Sequence, residues 1–514
     1  MQLPVGLAAG GGGVFFLAVV AGWYGMPKLI HSQIANGLAL KKGSDIRQMW
    51  SNFSDPIDFR VYILNLTNPE AVHRGEKPVV QEIGPYFYEE YKQKVKLRDH
   101  KEDDTVSYNQ KVTWLFNQAK SGPGLTGDEM ITMPHPLLLG LLLTLERDKP
   151  GMLALVNKAI PPLFRKPESI FVTAPARNFL FDGIVINCTV TDFSAKALCT
   201  GLKKEAKELK REGDNFFFSF FGHKNGTVDN NRLRVKRGIE NIDDLGRVVA
   251  FNGENKLATW RGDPCNDLRG TDSTIFPPFR DAKEPIVAFG ADLCLSLGAA
   301  WERSAEYMGV PGNRYTGEMP DMKGNPEHHC YCPTEDTCLE KGALDLSPCA
   351  GAPVIATLPH FYLSSETYLR TVTGLNPTKE NHELFMVFET TTGSPMEARK
   401  RLQFNMFLHK INKIDLLANV PYALMPLLWV EEGLALEEKY VSTLRMLFRM
   451  QGIMSGVKWT MMVMGMGMGG AGGYLYFKRR KELVVGPAEP KKVAAGHGDA
   501  PGHPIRLESS HSRY

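Results

Sequence analysis

The chain has 514 residues, of which 43% are hydrophobic, and its formal net charge is +3 at pH 7. This near balance excludes nucleic acid as an expected partner, because polyanions are bound through a marked excess of Lys and Arg. The apolar content suffices for a large folded core.

The first predicted element is an uncharged apolar segment at the N-terminus. No charged side chain occurs between Gln2 and Pro27, and this length crosses about 30 Å of hydrocarbon as a helix. A cleaved signal peptide is the alternative, but the residues before the apolar run contain no Lys or Arg. We therefore predict a cytoplasmic tail at residues 1–6 and a retained transmembrane helix at residues 7–27.

The region that follows carries strand signals in several places. In residues 401–408 (RLQFNMFL), apolar side chains at even positions would face one side of a sheet and polar ones the other. Asn252-Gly253 predicts a tight hairpin turn. Helical patterns are fewer and fall between Pro136 and Pro162 and in residues 195–212. The predicted class is α+β with antiparallel sheet dominant.

Residues 137–145 (LLLGLLLTL) form the most apolar patch of this region. Nine residues are too few to span a bilayer, so a buried helix is the first interpretation. Basic residues follow closely, however, and an apolar surface ringed with cations would suit an amphiphile with a polar head. Composition favours the core interpretation. The residues of the alternative, a lipid entrance, are Leu137, Leu138, Leu141, Leu142, Lys149, Lys158, Arg165 and Lys166.

All eight cysteines lie in the central region, as expected of disulfides in a translocated domain. The cluster His328-His329-Cys330-x-Cys332 also permits a zinc site, although C-x-C spacing is more typical of disulfides. Four glycosylation sequons occur in the same region. Their acceptors are Asn52, Asn65, Asn187 and Asn225.

A second uncharged segment, residues 459–477, precedes the basic cluster Lys478–Lys481. Basic clusters beside a span stay in the cytoplasm, so both termini are predicted to be cytoplasmic. We predict an extracellular ectodomain at residues 28–458, a transmembrane helix at 459–477 and a disordered cytoplasmic tail at 478–514. The chain would be a plasma-membrane protein with two spans.

Residue patterns of catalysis are missing from the sequence. It contains no G-x-S-x-G, H-E-x-x-H or P-loop motif, so no enzyme activity, cofactor or resident metal is expected. The last three residues, Ser512-Arg513-Tyr514, place a hydroxyl two residues before the C-terminus. This pattern suggests a PDZ partner that reads the end by strand addition.

Several blocks in order along the chain resemble the class B scavenger receptors, a family of two-span lipid receptors. They include VYILNLTNPE, EIGPYFYEEY, FETTTGSPMEARKRLQFN and PLLWVEEG. Within that family, the blocks ERDKPGML and GIVINCTVTDFSAKALCTGLKKE are most similar to the insect sensory neuron membrane proteins, type one.

The resemblance implies an antiparallel β-barrel ectodomain with a helical cap, here residues 137–166, and an internal hydrophobic tunnel. It favours the lipid-entrance interpretation of the cap. It also implies three disulfides, with Cys188 and Cys199 either paired or free. The implied pairs are Cys265–Cys330, Cys294–Cys349 and Cys332–Cys338. The predicted cytoplasmic tails lack cysteine, so the acylation of vertebrate relatives is not expected.

The implied function is capture of lipid-derived odorants, typically fatty pheromones, at the ciliary or dendritic membrane of sensory neurons. The captured ligand would pass to an olfactory receptor channel complex. The alternative is a protein-docking or escort receptor whose helical cap binds a partner protein.

Overall fold

A computed structural model describes residues 2–205 and 209–484. The described residues divide into two compact units, one formed by residues 2–27 and 451–484 and the other by those within residues 28–450. The predicted tail beyond residue 484, including the PDZ-type end, lies outside the described residues.

The helices are numbered here in chain order. They are α1 (Gln2–Val20), α2 (Met26–Leu38), α3 (Asp45–Ser51), α4 (Pro69–His73), α5 (Pro136–Asp148), α6 (Leu153–Leu163), α7 (Phe193–Glu205), α8 (Asp263–Asn266), α9 (Ser347–Ala350), α10 (Glu366–Leu369), α11 (Lys379–His382) and α12 (Glu438–Val484).

The strands follow the same convention. They are β1 (Ile57–Leu66), β2 (Val80–His100), β3 (Thr105–Phe116), β4 (Met130–Pro134), β5 (Phe171–Pro175), β6 (Ile184–Ile186), β7 (Lys210–Glu212), β8 (Asn215–Phe218), β9 (Val228–Lys236), β10 (Val248–Phe251), β11 (Ile286–Gly290), β12 (Leu295–Tyr307), β13 (Val310–Gly317), β14 (Ala343–Asp345), β15 (Ile355–Thr357), β16 (Leu384–Glu389), β17 (Ser394–Leu408) and β18 (Ala423–Ala435).

One large antiparallel sheet organises the unit at residues 28–450. Its strand order is β10-β9-β3-β2-β1-β18-β17-β16-β13-β12-β11, with β14 and β15 attached beside β17. The sheet is built from long strands, and β17 and β18 stay paired from Glu397–Ala435 to Leu408–Ala423. The α+β class with dominant antiparallel sheet is therefore confirmed.

The two edge strands are joined by a short seam at residues 270–272. The N–H of Val248, the first residue of β10, donates to the carbonyl of Gly270 at 3.0 Å. On the other side, the N–H of Phe289 in β11 donates to the carbonyl of Thr271 at 2.8 Å. Gly270 has φ +82°, and a Cβ there would lie 2.1 Å from the carbonyl oxygen of Val287. The seam therefore requires glycine and brings the sheet close to a closed barrel.

One core cluster shows which face of the sheet points inward. It contains Val106 and Tyr108 of β3 together with Leu402 of β17. The strands β2, β1 and β18 lie between β3 and β17 in the sheet. Side chains of β3 and β17 meet only across the interior of a curled sheet, so the even-numbered residues of β3 face inward.

The predicted alternation in residues 401–408 is present, but its polar face is not solvated. Gln403 and Asn405 are fully buried, and β15 pairs with β17 at these two positions. The amide of Asn405 donates to the carbonyl of Ile355 at 2.9 Å, and Gln403 accepts the N–H of His360 at 2.8 Å. The polar groups of both side chains are thus satisfied by β15 and by the segment that follows it, which allows them to be buried.

In the other unit, two helices approach closely through glycines. A Cβ on Gly11 would lie 2.3 Å from the backbone nitrogen of Gly469, and one on Gly472 would lie 2.4 Å from that of Ala8. The ring of Trp23 meets that of Trp459 edge-on at 5.6 Å. Small residues therefore permit backbone contact, as in helix pairs in lipid.

By length and composition alone, one helix among the described residues qualifies as a membrane span. It runs continuously over Gln2–Leu38 with a mean hydropathy of 2.0, a test that a signal sequence would also pass. Helix α12 carries the second predicted span at residues 459–477, where glycines lower the hydropathy. The two-span arrangement stays a prediction.

Candidate functional site

The barrel interior contains an aromatic cluster built from β1, β2, β3 and two loops. Phe59 of β1 lies 5.6 Å from Trp114 of β3, ring centre to ring centre, and Tyr88 of β2 lies 4.6 Å from Phe181. Phe221 packs on Trp114 at 5.7 Å. We call these five residues the aromatic wall. It offers an apolar surface inside the barrel.

Beside the aromatic wall, five charged residues form what we call the interior ionic cluster: Glu90, Lys92, Asp292, Lys400 and Glu432. The register places Glu90 opposite Trp114 and Lys92 opposite Val112, so both belong to the inward face. The ammonium nitrogen of Lys92 lies 2.8 Å from a carboxylate oxygen of Glu432 and 3.4 Å from Glu90. That of Lys400 lies 3.9 Å from Glu432.

The interior ionic cluster is enclosed by protein yet reached by water. The Asp292 side chain is 77% exposed and that of Lys400 is 49% exposed. Burial nevertheless opposes the charge of Asp292, whose pKa is lowered below its usual value because Lys224, Lys400 and Lys92 outweigh burial. Lys400 is two residues from the inward-facing Leu402 on β17, so it lies on the same face of the strand. The inner face of the sheet is therefore reached by water at Lys400.

Burial and neighbouring lysines also shift the pKa values of the two glutamates of the cluster. Burial raises the pKa of the Glu90 carboxyl. Burial acts on Glu432 in the same sense, but Lys92 and Lys400 outweigh it and lower the pKa of that carboxyl. At neutral pH, Glu432 therefore keeps its charge more firmly than Glu90.

The predicted lipid-entrance residues separate into two groups. Leu138 and Leu142 of α5 are buried in a core cluster that also contains Met406. Leu137 and Leu141 are only partly buried. The core interpretation thus describes one face of α5, while the other face retains some apolar surface, and four cations of the same region are exposed. These cations are Lys149, Lys158, Arg165 and Lys166.

His135 is a residue of this cap that the sequence did not single out. Its Nδ1 accepts the N–H of Leu138 at 3.4 Å and so caps α5. Burial lowers its pKa to about 4, which keeps the ring neutral. The unusual residue type at a helix N-cap conceals this role in sequence, where Ser, Thr, Asp or Asn is expected.

All eight cysteines are joined in four disulfides. The pairs are Cys265–Cys330, Cys294–Cys349, Cys332–Cys338 and Cys188–Cys199. The first three are the pairs that the family resemblance implies. Because Cys330 and Cys332 lie in separate disulfides, neither offers a thiolate, and the zinc interpretation of the His328–Cys332 cluster is wrong.

A second group, Glu82, His360 and His382, brings three potential ligand atoms within 4.8 Å of one another. The Nδ1 of His360 accepts the N–H of Asn376 at 3.0 Å, and that of His382 accepts the N–H of Thr378 at 2.8 Å. In either ring, a nitrogen Nδ1 that accepts this bond leaves Nε2 to carry the proton, and Nε2 is the nitrogen left for a ligand. A metal needs a free lone pair there, so the group fits a metal poorly.

The buried imidazole of His382 makes stability depend on pH. Burial, reinforced by His360, lowers its pKa to about 4 from an ordinary 6.5. Between these values the unfolded chain binds a proton that the folded chain excludes, so stability should fall as pH falls from 6.5 to 4. The variant His382→Gln lacks this titrating group. Its free energy of unfolding should therefore fall by roughly 2–3 kcal/mol less between pH 6.5 and pH 4. The measurement is thermal unfolding of the detergent-solubilised chain across this range.

The control for that measurement is His329→Gln, since His329 is exposed. Its pH profile should match that of the unmodified chain. If His382→Gln and His329→Gln gave the same profile, His382 would not be the titrating group.

The four predicted glycosylation acceptors differ in their surroundings. Asn52 is exposed, whereas Asn65, Asn187 and Asn225 are partly buried. The side-chain nitrogen of Asn225, which would carry the glycan, donates to the carbonyl of Trp114 at 3.2 Å. Occupancy of these sites stays a prediction, with Asn52 the most accessible.

A nearly closed antiparallel barrel with helices, in a chain that also carries an apolar N-terminal helix, is an architecture expected of a membrane receptor. The family model described as CD36 family matches residues 10–476. The chain therefore belongs to the CD36 family, which confirms the resemblance to class B scavenger receptors.

Individual relatives carry the name sensory neuron membrane protein 1. The one from Apis mellifera is 43% identical over 493 residues, covering 95% of this chain and 94% of its own. That from Pediculus humanus subsp. corporis is 44% identical, covering 92% of both chains. That from Plutella xylostella is 42% identical, covering 95% of this chain and 94% of its own. This similarity supports a membrane-receptor role in insect sensory neurons.

Proposed function

We propose that the protein captures lipid-derived odorants, typically fatty pheromones, and transfers them through the barrel toward an olfactory receptor channel complex. The observation that carries the proposal is the aromatic wall on the inner face of the sheet, which water reaches at Lys400. At about 0.8 kcal/mol per methylene, a long alkyl chain is costly to carry bare through water. An enclosed apolar path lowers that barrier without catalysis.

The entrance is proposed at the cap, which carries the partly buried Leu137 and Leu141 and four exposed cations. Those cations would guide a polar head toward the leucines. Charges at the rim of a site act mainly on encounter, so they should affect capture rate more than final affinity. The path from cap to interior corresponds to the hydrophobic tunnel implied by the family.

The test measures palmitic acid uptake by the detergent-solubilised chain with the four cap cations, Lys149, Lys158, Arg165 and Lys166, changed to Gln. The association rate should fall roughly threefold to tenfold, and less at high salt, while the equilibrium affinity changes little. A matched variant changes Lys42, Lys77, Lys101 and Lys283, which are all exposed. Equal association rates in the two variants would contradict an entrance at the cap.

Protein docking at the cap is a second candidate, and one observation favours it. Helix α7 packs on α6 of the cap through a shared core cluster. Phe193 at the start of α7 is 81% exposed, which is unusual for a large apolar side chain outside an interface. Under this alternative, Phe193→Ser would abolish sensory responses in neurons while lipid uptake by the purified chain stays normal. Under the lipid-transfer proposal, Phe193→Ser leaves both intact.

We further propose two transmembrane helices with both termini in the cytoplasm, at the ciliary or dendritic membrane. The sequons and disulfides require the extracellular side, and the basic residues after α12 oppose translocation. Glycosidase treatment should lower the apparent mass while the N-terminal segment stays present in the mature chain. A mature N-terminus near Lys28 would refute this topology.

The C-terminal residues Ser512–Tyr514 are proposed as a PDZ ligand. Deleting them should redistribute the protein within the membrane of sensory neurons. Unchanged localisation would contradict a PDZ partner.

A further inference from the structure

A cavity of about 260 Å³ lies between α2 and the loop that follows β9. Ala35 lines it on the side of the helix, and Ile242 lines it on the side of the loop. His31 and Glu240 also line it and are exposed, so the cavity opens to solvent at the molecular surface. Sites for whole drug-sized ligands measure roughly 300–1,000 Å³, so this cavity suits a small ligand or one end of a larger one.

Hydrogen bonds hold the two walls of this cavity in place. The N–H of Leu40, just after α2, donates to the carbonyl of Arg237 at 2.9 Å and joins the helix to the loop. The Asp104 carboxylate accepts the N–H groups of Ile239 at 2.8 Å and Glu240 at 2.9 Å, which fixes the loop. A site that is formed in advance loses less conformational entropy when it binds a ligand.

Two opposite charges that line this cavity have no ionic partner within residues 2–205 and 209–484. The ammonium nitrogen of Lys41 donates to the Oδ1 of Asn36, a neutral acceptor, at 2.9 Å. The carboxylate of Glu240 accepts no hydrogen bond from any residue in those ranges. A ligand that carries both a phosphate and an ammonium group would complement the two charges through charge-assisted hydrogen bonds.

The cavity begins shortly after the predicted N-terminal span. His31, its first lining residue, follows Pro27 by about one turn of the same continuous helix, or roughly 6 Å along the axis. Trp23 and Tyr24 are exposed at the end of that span, and both residue types are enriched at the membrane–water boundary. The head-group layer is roughly 5–8 Å thick on each side of a bilayer. With the proposed topology, this spacing places the cavity at the height of the head groups.

We propose that this cavity binds the head group of phosphatidylethanolamine from the outer leaflet of the membrane. Lys41 pairs with the phosphate and Glu240 with the ammonium group, while the acyl chains stay in the bilayer. Phosphatidylglycerol carries a phosphate but no amine, so it leaves Glu240 unpaired and the site selects against it. The inference rests on the proposed two-span topology and is independent of lipid transfer through the barrel.

The test places the full chain in nanodiscs that contain equal parts of phosphatidylethanolamine and phosphatidylglycerol, and native mass spectrometry counts the lipids that it retains. The unmodified chain should retain phosphatidylethanolamine preferentially. Glu240→Gln should lower that preference about threefold to tenfold, the effect of one charge-assisted contact at an exposed rim. Lys41→Gln should weaken retention of both lipids, because both carry the phosphate.

Matched controls change residues that do not line the cavity. Lys42→Gln alters the neighbouring lysine and Glu254→Gln an exposed acid, and both variants should retain lipid as the unmodified chain does. Ala35→Trp fills the cavity and should remove the preference, whereas Gln33→Trp, at an exposed position of the same helix, should keep it. Ala35→Trp should still take up palmitic acid normally, which separates this site from the barrel.

The outcomes distinguish this inference from lipid transfer. An unmodified chain with no preference for phosphatidylethanolamine would overturn the proposal, and so would an unchanged preference in Glu240→Gln and Ala35→Trp. If the unmodified chain shows the preference and Ala35→Trp loses it, but neither chain takes up palmitic acid, the head-group site stands and lipid transfer fails.

A second measurement asks whether the ligand is a lipid or its free head group. Acetylation of lysines in the detergent-solubilised chain, read by mass spectrometry, should show Lys41 protected severalfold by dihexanoylphosphatidylethanolamine. O-phosphoethanolamine at the same concentration should protect it less, because the free head group is not concentrated in the micelle. Lys42 should be labelled equally in all samples. Equal protection of Lys41 by the two compounds would overturn a membrane lipid as the ligand.

Discussion

Val112→Trp should abolish lipid uptake and leave the protein folded. Val112 lies on the inward face of β3, opposite Lys92, and is only partly buried, so the barrel interior has room beside it. An indole placed there would fill the space between the aromatic wall and the interior ionic cluster. We expect uptake of methyl palmitate to fall at least tenfold, at a stability cost of about 1–3 kcal/mol.

The control lies three residues away on the same strand. Leu115 faces outward and is 52% exposed, so Leu115→Trp adds the same side chain without entering the barrel. Its uptake should be normal. Sensory responses of neurons that express Val112→Trp then distinguish lipid transfer from protein docking. A folded variant that fails to take up lipid but still sensitises neurons would favour the protein-docking alternative.

Removing the Cys265–Cys330 disulfide should destabilise the protein strongly. This bond closes a loop with a sequence separation of 65, for which the chain-entropy model gives about 4 kcal/mol. We therefore expect the double variant Cys265→Ser, Cys330→Ser to be retained during secretion. Surface expression and the thermal unfolding midpoint of the solubilised chain measure the effect.

The neighbouring Cys332–Cys338 bond provides the comparison. Its sequence separation is only 6, so the same model gives a smaller loss of about 2 kcal/mol for Cys332→Ser, Cys338→Ser. Equal losses in the two double variants would contradict loop closure as the source of stabilisation.

Local sequence patterns identified elements whose signal lies within a few residues. The Asn252-Gly253 pair forms the predicted turn, with φ +54° and +92°, because only these residue types adopt such angles readily. The helical pattern between Pro136 and Pro162 was likewise visible, and α5 and α6 form there. Leu138 and Leu142 differ from Leu137 only in the direction they face on α5, which composition does not encode.

The interior ionic cluster was not predicted, and its strand explains why. In β2, the alternating charges Glu90, Lys92 and Lys94 have the pattern of a solvated face. They point inward because the sheet curls round, and curling depends on long-range pairing. The signal available in sequence was weak: Glu432 follows the apolar run of β18, but Lys400 lies among other charged residues of β17. Their meeting with Lys92 requires the register of four strands.

The seam at residues 270–272 bears on how the protein avoids self-association. An open sheet edge presents unpaired N–H and carbonyl groups on which another chain can add a strand. The seam occupies such groups on both β10 and β11 with only three residues, and Gly270 alone permits their close approach. Loss of that glycine would uncover two edges at once. Aggregation during synthesis, rather than impaired ligand handling, is then the expected defect of a chain altered at Gly270.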